Sequence, residues 1–196
     1  MAEHVSAYKH FLKRHGIIHS HIVSIKDFHK IPPTTKHNYL DKYSERDRSW
    51  SAKNHPRQNL LAVSGGTTGP PRRWPCGPYQ EFDAAVQHEI IYRTFFETDK
   101  YKTLLIVAFP LGIYVSGIAT TLPSWLVSLK NHNITVAPVG INRVEIIRLM
   151  TTVRDMYEQI VITGHPIFVK EIIETGAAEG INWKKYRVKL LLSSEG

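Results

Sequence analysis

The chain has 196 residues, 42% of them hydrophobic, and carries a formal charge of +8 from 25 Lys and Arg against 17 Asp and Glu. Such a length and polarity suit one globular domain with a substantial core, and no apolar run approaches the roughly 20 residues that span a bilayer, so no membrane segment is expected. The basic residues are scattered from Lys9 to Lys189, with Glu45 and Asp47 interleaved in the densest tract, which argues against a nucleic-acid partner; the single Cys76 excludes an internal disulfide and a cysteine-rich zinc site.

Residues 1–58 read as a helical and loop lead-in, polar, rich in histidine and broken by Pro32, Pro33 and Pro56. Nothing at the N-terminus reads as a secretory signal, so a cytoplasmic location is expected. The pattern predicts a helix over Ala7 to His15 and another over Lys36 to Ser44, capped by Thr34 or Thr35. His15, His19 and His21 have a spacing that metal sites use, but no carboxylate or cysteine stands beside them and Gly16 interrupts the helix. No metal site is expected.

Residues 59–196 alternate short apolar runs with longer amphipathic stretches. Leu60 to Val63 predicts a strand, followed by a glycine-rich turn and a return strand around Arg72 to Pro75. Phe82 to Phe96 predicts a helix with Phe82, Val86, Ile90 and Phe95 near one side. Thr103 to Phe109 reads as a buried strand, and Ile118 to Lys130 as a helix kinked or restarted at Pro123. After a strand over Ile134 to Val139, Asn142 caps a helix running to about Tyr157, with Val144 and Ile147 in its apolar stripe. Gln159 to Thr163 is a further strand; Pro166 opens a helix that Gly176 ends, and Lys189 to Leu192 is the last strand. The expectation is an α/β fold, a mainly parallel sheet with helices on both faces.

Four of these strands run directly into small or polar residues: Pro110-Leu111-Gly112, Pro138-Val139-Gly140, Thr163-Gly164-His165 and Ser193 to Gly196. In a parallel sheet such ends share one edge, where open α/β folds bind ligands. Tight strand-to-helix turns would explain the same glycines.

The segment Ser64-Gly65-Gly66-Thr67-Thr68-Gly69-Pro70-Pro71-Arg72-Arg73 carries the chemistry. Three glycines let successive amide N–H groups turn inward as an anion-binding nest. Ser64, Thr67 and Thr68 add hydroxyl donors, and Arg72 or Arg73 adds positive charge. This suits a polyphosphate, although no Gly-Lys-Ser/Thr opens a helix as in a Walker loop; a flexible hairpin turn rich in the usual turn formers is the lesser alternative.

The segment resembles the phosphate-binding motif Ser-Ser-Gly-Thr-Thr-Gly-x-Pro of the adenylate-forming superfamily. Three further stretches are similar to its phenylacetate-coenzyme A ligase branch: Phe28 to Lys36 to the lead-in before a helix, Gly112-Ile113-Tyr114-Val115-Ser116-Gly117 to the stretch at the acyl pocket, and Thr163 to Pro166 with Leu190 to Gly196 to loops leading to the adenine pocket. Gly65 departs from the motif's second serine, and Arg72 stands where many members carry lysine.

The resemblance implies an ATP-dependent ligase with Mg2+ that activates a carboxylic acid as its adenylate and passes it to a thiol such as coenzyme A. It places the ATP phosphates at Ser64, Gly65, Gly66, Thr67, Thr68, Gly69, Arg72 and Arg73, the acyl pocket at Tyr114 and Gly117, and adenine near Ser194, Glu195 and Gly196. In that family the aromatic-Gly-x-Thr-Glu motif, the ribose-binding aspartate, the hinge and the catalytic lysine follow the point matching Gly196. Residues 59–196 are therefore expected to form part of a nucleotide-binding domain whose C-terminal parts are absent, with no catalytic residue assigned here. A noncatalytic nucleotide-binding or interaction module that retains the loop is the alternative.

Overall fold

The computed structural model of the protein describes residues 2–50, 60–64, 71–130 and 132–193. The chain divides into two compact units, Met1–Gln58 and Asn59–Gly196. Among the described residues no helix is long and apolar enough to cross a membrane.

In the first unit, helix α1 (Ser6–Arg14) carries Lys13 and Arg14 in its last turn, where the helix dipole favours cations. Phe11 meets the edge of Tyr39 at 5.5 Å, and Tyr39 tilts against Tyr43 at 5.2 Å. The helix predicted over Lys36 to Ser44 is not continuous. One π-helical turn spans Lys36–Leu40 and is capped by Thr35, whose Oγ1 accepts from Asn38 N at 3.1 Å. Asn38 accepts from Thr35 N and donates to Pro33 O, so its amide competes with the helical ladder. Ser44, a strong N-cap type, then starts the short helix α2 (Glu45–Arg48) by accepting from Asp47 N at 3.2 Å.

The second unit begins with an antiparallel pair, β1 (Leu60–Val63) and β2 (Arg73–Cys76), in which Leu60 opposes Cys76 and Val63 opposes Arg73. There follow α3 (Pro78–Phe96), β3 (Thr103–Ala108), α4 (Val115–Ser128), β4 (Ile134–Pro138), α5 (Arg143–Thr152), β5 (Gln159–Gly164), α6 (Pro166–Ala178) and β6 (Arg187–Leu192). The last four strands form one parallel sheet in the order β4-β3-β5-β6.

Side chains alternate across the sheet and create two cores. Leu104, Ile106, Ile160 and Ile162 pack with Ile146 and Met150 of α5 and Ile172 of α6. Leu105, Val161 and Ile134 pack on the opposite face with Tyr92 and Phe96 of α3 and Val127 of α4. Each fully buried Leu or Ile contributes roughly 1.5–3 kcal/mol, and the two cores require helices on both faces, as the sequence predicts.

Helix faces and ends differ from expectation where tertiary packing overrides local pattern. The Phe82, Val86, Ile90 side of α3 is exposed, and Ala85, Tyr92 and Phe96 are buried instead. Phe95 lies about 140° round the helix from Ile90, at about 100° per residue, and is also exposed. Helix α5 ends at Thr152, followed by a 3₁₀ turn over Arg154–Met156; Val144 is exposed, whereas Ile146, Ile147 and Met150 are buried. Gly176 does not end α6. It lies inside the helix because the Trp183 ring occupies the space its side chain would need, with Trp183 Nε1 donating to Ile173 O at 2.9 Å. Pro123 is accommodated within α4, where the next residue, Ser124, donates to Thr120 O at 2.5 Å and shares a 2.6 Å hydrogen bond with Tyr92 of α3. Burial pushes the Tyr92 hydroxyl up to about 12, so it stays protonated for that bond.

At the N-terminal edge of the sheet, Gln159 is fully buried. Its amide donates to Phe96 O at 2.7 Å and to Thr103 Oγ1 at 3.0 Å, and its carbonyl accepts from Arg187 Nε at 3.2 Å. Gln159→Leu keeps the bulk and abandons these partners, so it is expected to cost about 1–3 kcal/mol in urea denaturation. Glu89 of α3 accepts from Lys130 at 2.7 Å and pairs with His132 at 3.2 Å. Lys130 first and His132 second hold its carboxyl below the ordinary 4.5. A lowered folded-state value stabilises the fold above the unfolded value and loses that contribution as pH falls through the folded one. Wild-type stability is therefore expected to drop more steeply below about pH 4.5 than that of Glu89→Gln, read from urea midpoints across acid pH.

Candidate functional site at the strand ends

Because the four strands are parallel, their C-terminal ends, at Ala108, Pro138, Gly164 and Leu192, lie on one edge. Strand β3 hands over to α4 on one face, whereas β5 hands over to α6 on the other. The edge between β3 and β5 is thus a topological switch point, where open α/β sheets leave a crevice.

The hairpin is tied to this edge. Val63 N donates to Ile113 O at 2.8 Å, and Val63 forms a parallel bridge with Tyr114. One residue further, Ser64 N donates to Arg72 O at 2.9 Å while Arg72 N donates to Ser64 Oγ at 3.1 Å. These two bonds close the base of the glycine-threonine segment beside Tyr114. The Ser64 oxygen accepts there, which leaves its proton available for donation. Arg72 is half-buried, and Arg73 is exposed as the first residue of β2. Gly65, Gly66, Thr67, Thr68 and Gly69 lie outside the described residues, as do Ser194, Glu195 and Gly196. Ser193, the last described residue, donates to Gly164 O at 3.3 Å and so keeps β6 in register with β5 to its end.

Tyr114 is partly exposed at the N-cap of α4. Gly117 is buried in the first turn of that helix, where an added side chain would strike the Pro110 carbonyl oxygen. Its bare Cα lets α4 start hard against the end of β3, and this close approach sets the position of Tyr114. After β4, Gly140 takes φ 77°, a conformation that favours glycine, and donates to Val107 O at 2.9 Å. Asn142 caps α5 as predicted, its Oδ1 accepting from Glu145 N at 3.1 Å.

An open cavity of about 650 Å³ lies at the same edge, within the range of small-molecule sites. Leu111, Val139 and Gly140 lie in its lining with Asn142 and Arg143 from the start of α5 and Phe168 and Glu171 from the first two turns of α6. Arg143, Phe168 and Glu171 have no place among the residues singled out from sequence. The glycine-bearing strand ends at Pro110 and Pro138 were the available signal, and they identify the strand-end part of the lining but not the helical part.

No protein-family model matches the sequence, and no curated protein matches it. Solved structures do. A crystal structure of an open conformation of 2-hydroxyisobutyryl-CoA ligase in complex with 2-HIB-AMP and CoA matches with a TM-score of 0.76 at 16% identity, covering 99% of this chain and 41% of that one. The same ligase in the thioesterification state matches with a TM-score of 0.76 at 17% identity, over 97% of this chain and 39% of that one. In the postadenylation state with 2-HIB-AMP it matches at 0.75 and 15% identity, over 98% and 39%. The chain shares the fold of the matched part of that ligase. The chain spans about two fifths of the length of those ligases.

Gly117→Ala is expected to lower stability by about 1–3 kcal/mol through the clash with Pro110, and to move Tyr114. Thermal denaturation and the near-ultraviolet tyrosine signal check both effects; Gly180→Ala, where added bulk meets open space but φ is 85°, serves as the comparison for backbone strain alone.

Proposed function

We propose that the chain is the nucleotide-binding front part of an ATP-dependent ligase that activates a carboxylic acid as its acyl-adenylate and passes it to a thiol such as coenzyme A. The observation that carries this reading is the closure of the glycine-threonine segment by Ser64 and Arg72 beside Tyr114, at the strand-end edge of an adenylate-forming fold. Glycine amides and the Thr67 and Thr68 hydroxyls, together with Arg72 and Arg73, suit the phosphates of ATP with Mg2+. Their part in the reaction is electrostatic: donors fixed before the reaction offset charge on the β- and γ-phosphates as pyrophosphate leaves.

In this proposal Tyr114 and Gly117 border the space for the acid, and Ser194, Glu195 and Gly196 lie toward adenine. The motifs at Phe28 to Lys36 and Gly112 to Gly117 favour the phenylacetate-coenzyme A ligase-like branch. In this proposal the groups that finish the chemistry belong to a C-terminal domain, in keeping with the 39–41% of the matched ligases that the chain spans.

The 196-residue chain is expected to bind ATP with Mg2+ in isothermal titration without exchanging pyrophosphate into it. A longer natural form is expected to exchange when given the right acid, and Thr67→Ala with Thr68→Ala to reduce that exchange about a hundredfold. No exchange by the longer form with any acid, but retained ATP binding, would favour the noncatalytic module. Absence of ATP binding to either form refutes both readings.

A further inference from the structure

The cavity at the strand ends holds two charged side chains that the proposed reaction does not use. Arg143 opens α5 and Glu171 stands in the second turn of α6; both are exposed, and both line the same cavity of about 650 Å³. Neither makes an ion pair with the other or with any described residue, although their neighbours do: Glu145 pairs with Arg148, and Lys170 with Glu174. Leu111, Val139 and Phe168 give the same lining an apolar part. Val139 and Phe168 also pack against the core under α5 and α6, which holds them in place. The start of α5 adds the positive end of its dipole to the Arg143 side.

A ligand of one charge that entered this cavity would displace water from the opposite charge without replacing it, and an uncharged ligand would do so at both. A molecule that carries both charges on an apolar body offsets the two together. We propose that the cavity is a binding site for a small zwitterion of this kind, an α-amino acid with an apolar or aromatic side chain. Arg143 takes the carboxylate, for which a planar guanidinium is the best-matched donor, and Glu171 takes the ammonium group. The ligand's side chain lies on Phe168, Leu111 and Val139. This inference goes beyond the ligase reading and does not rest on it, because every group it uses lies outside the glycine-threonine segment and binding needs no nucleotide.

Isothermal titration of the whole chain with phenylalanine, without ATP, tests this beside two analogues that each lack one charge, phenylpropionate and phenethylamine. Phenylalanine is expected to bind with a Kd below about 1 mM and about tenfold more tightly than either analogue. Glu171→Gln should remove the preference over phenylpropionate and keep the preference over phenethylamine. Arg143→Gln should do the reverse. Both positions are exposed, so circular dichroism should not change in either variant. No binding of phenylalanine or leucine up to about 10 mM overturns the proposal, as does an analogue that binds as tightly as phenylalanine, or preferences that persist in the two variants. Loss of ATP binding with both preferences intact refutes the ligase reading and supports this one.

Discussion

Strand β3 lies between β4 and β5 with every residue from Thr103 to Ala108 buried. A strand with no face in water requires cover on both sides, and its neighbours on both edges must be reached by crossovers. The chain meets both requirements by passing to β4 with α4 on one face and returning across β3 to β5 with α5 on the other. The same path makes the connections diverge at the C-terminal ends of β3 and β5. The position of the crevice therefore follows from the burial of one strand.

What the crevice can hold depends on backbone more than on side chains. The Val63 to Ile113 hydrogen bond carries the hairpin to the edge, and the Ser64–Arg72 pair closes the glycine-threonine segment there. Gly117 lets α4 begin against Pro110, and Gly140 turns the chain from β4 toward α5. Fixed amides and helix starts can face charge without reorganising, which is the property that phosphate chemistry requires. Opposite this edge, Gln159, Arg187 and Glu97 form a satisfied polar network that closes the other end of the sheet.

Much of this was legible in the residues. Strand β1 stands where Leu60 to Val63 placed it, β3 read as buried from its continuous apolar run, β5 stands where Gln159 to Thr163 placed a strand, and Asn142 and Pro166 mark helix starts through local hydrogen bonding and fixed φ. The errors share a cause. Val86 and Ile90 follow helical spacing as well as Ala85 and Tyr92 do, and only contact with the sheet decides which set is buried. Gly176 carries a terminator's identity, but the ring of Trp183, seven residues on, uses the missing side chain as a packing site. Arg143 and Glu171 belong to different helices that meet only when α5 and α6 cover the same face.

By itself the sequence determined what each stretch could do locally: alternation and apolar runs set strands, and caps and prolines set helix starts. These properties depend on neighbours within a few residues, so they survive without the rest of the chain. The tertiary structure alone decided which side of α3 meets the sheet, that the hairpin docks beside Tyr114, and which helix starts wall the cavity. Such choices rest on contacts between residues far apart in the chain, and no local pattern encodes which of two apolar faces will find a partner.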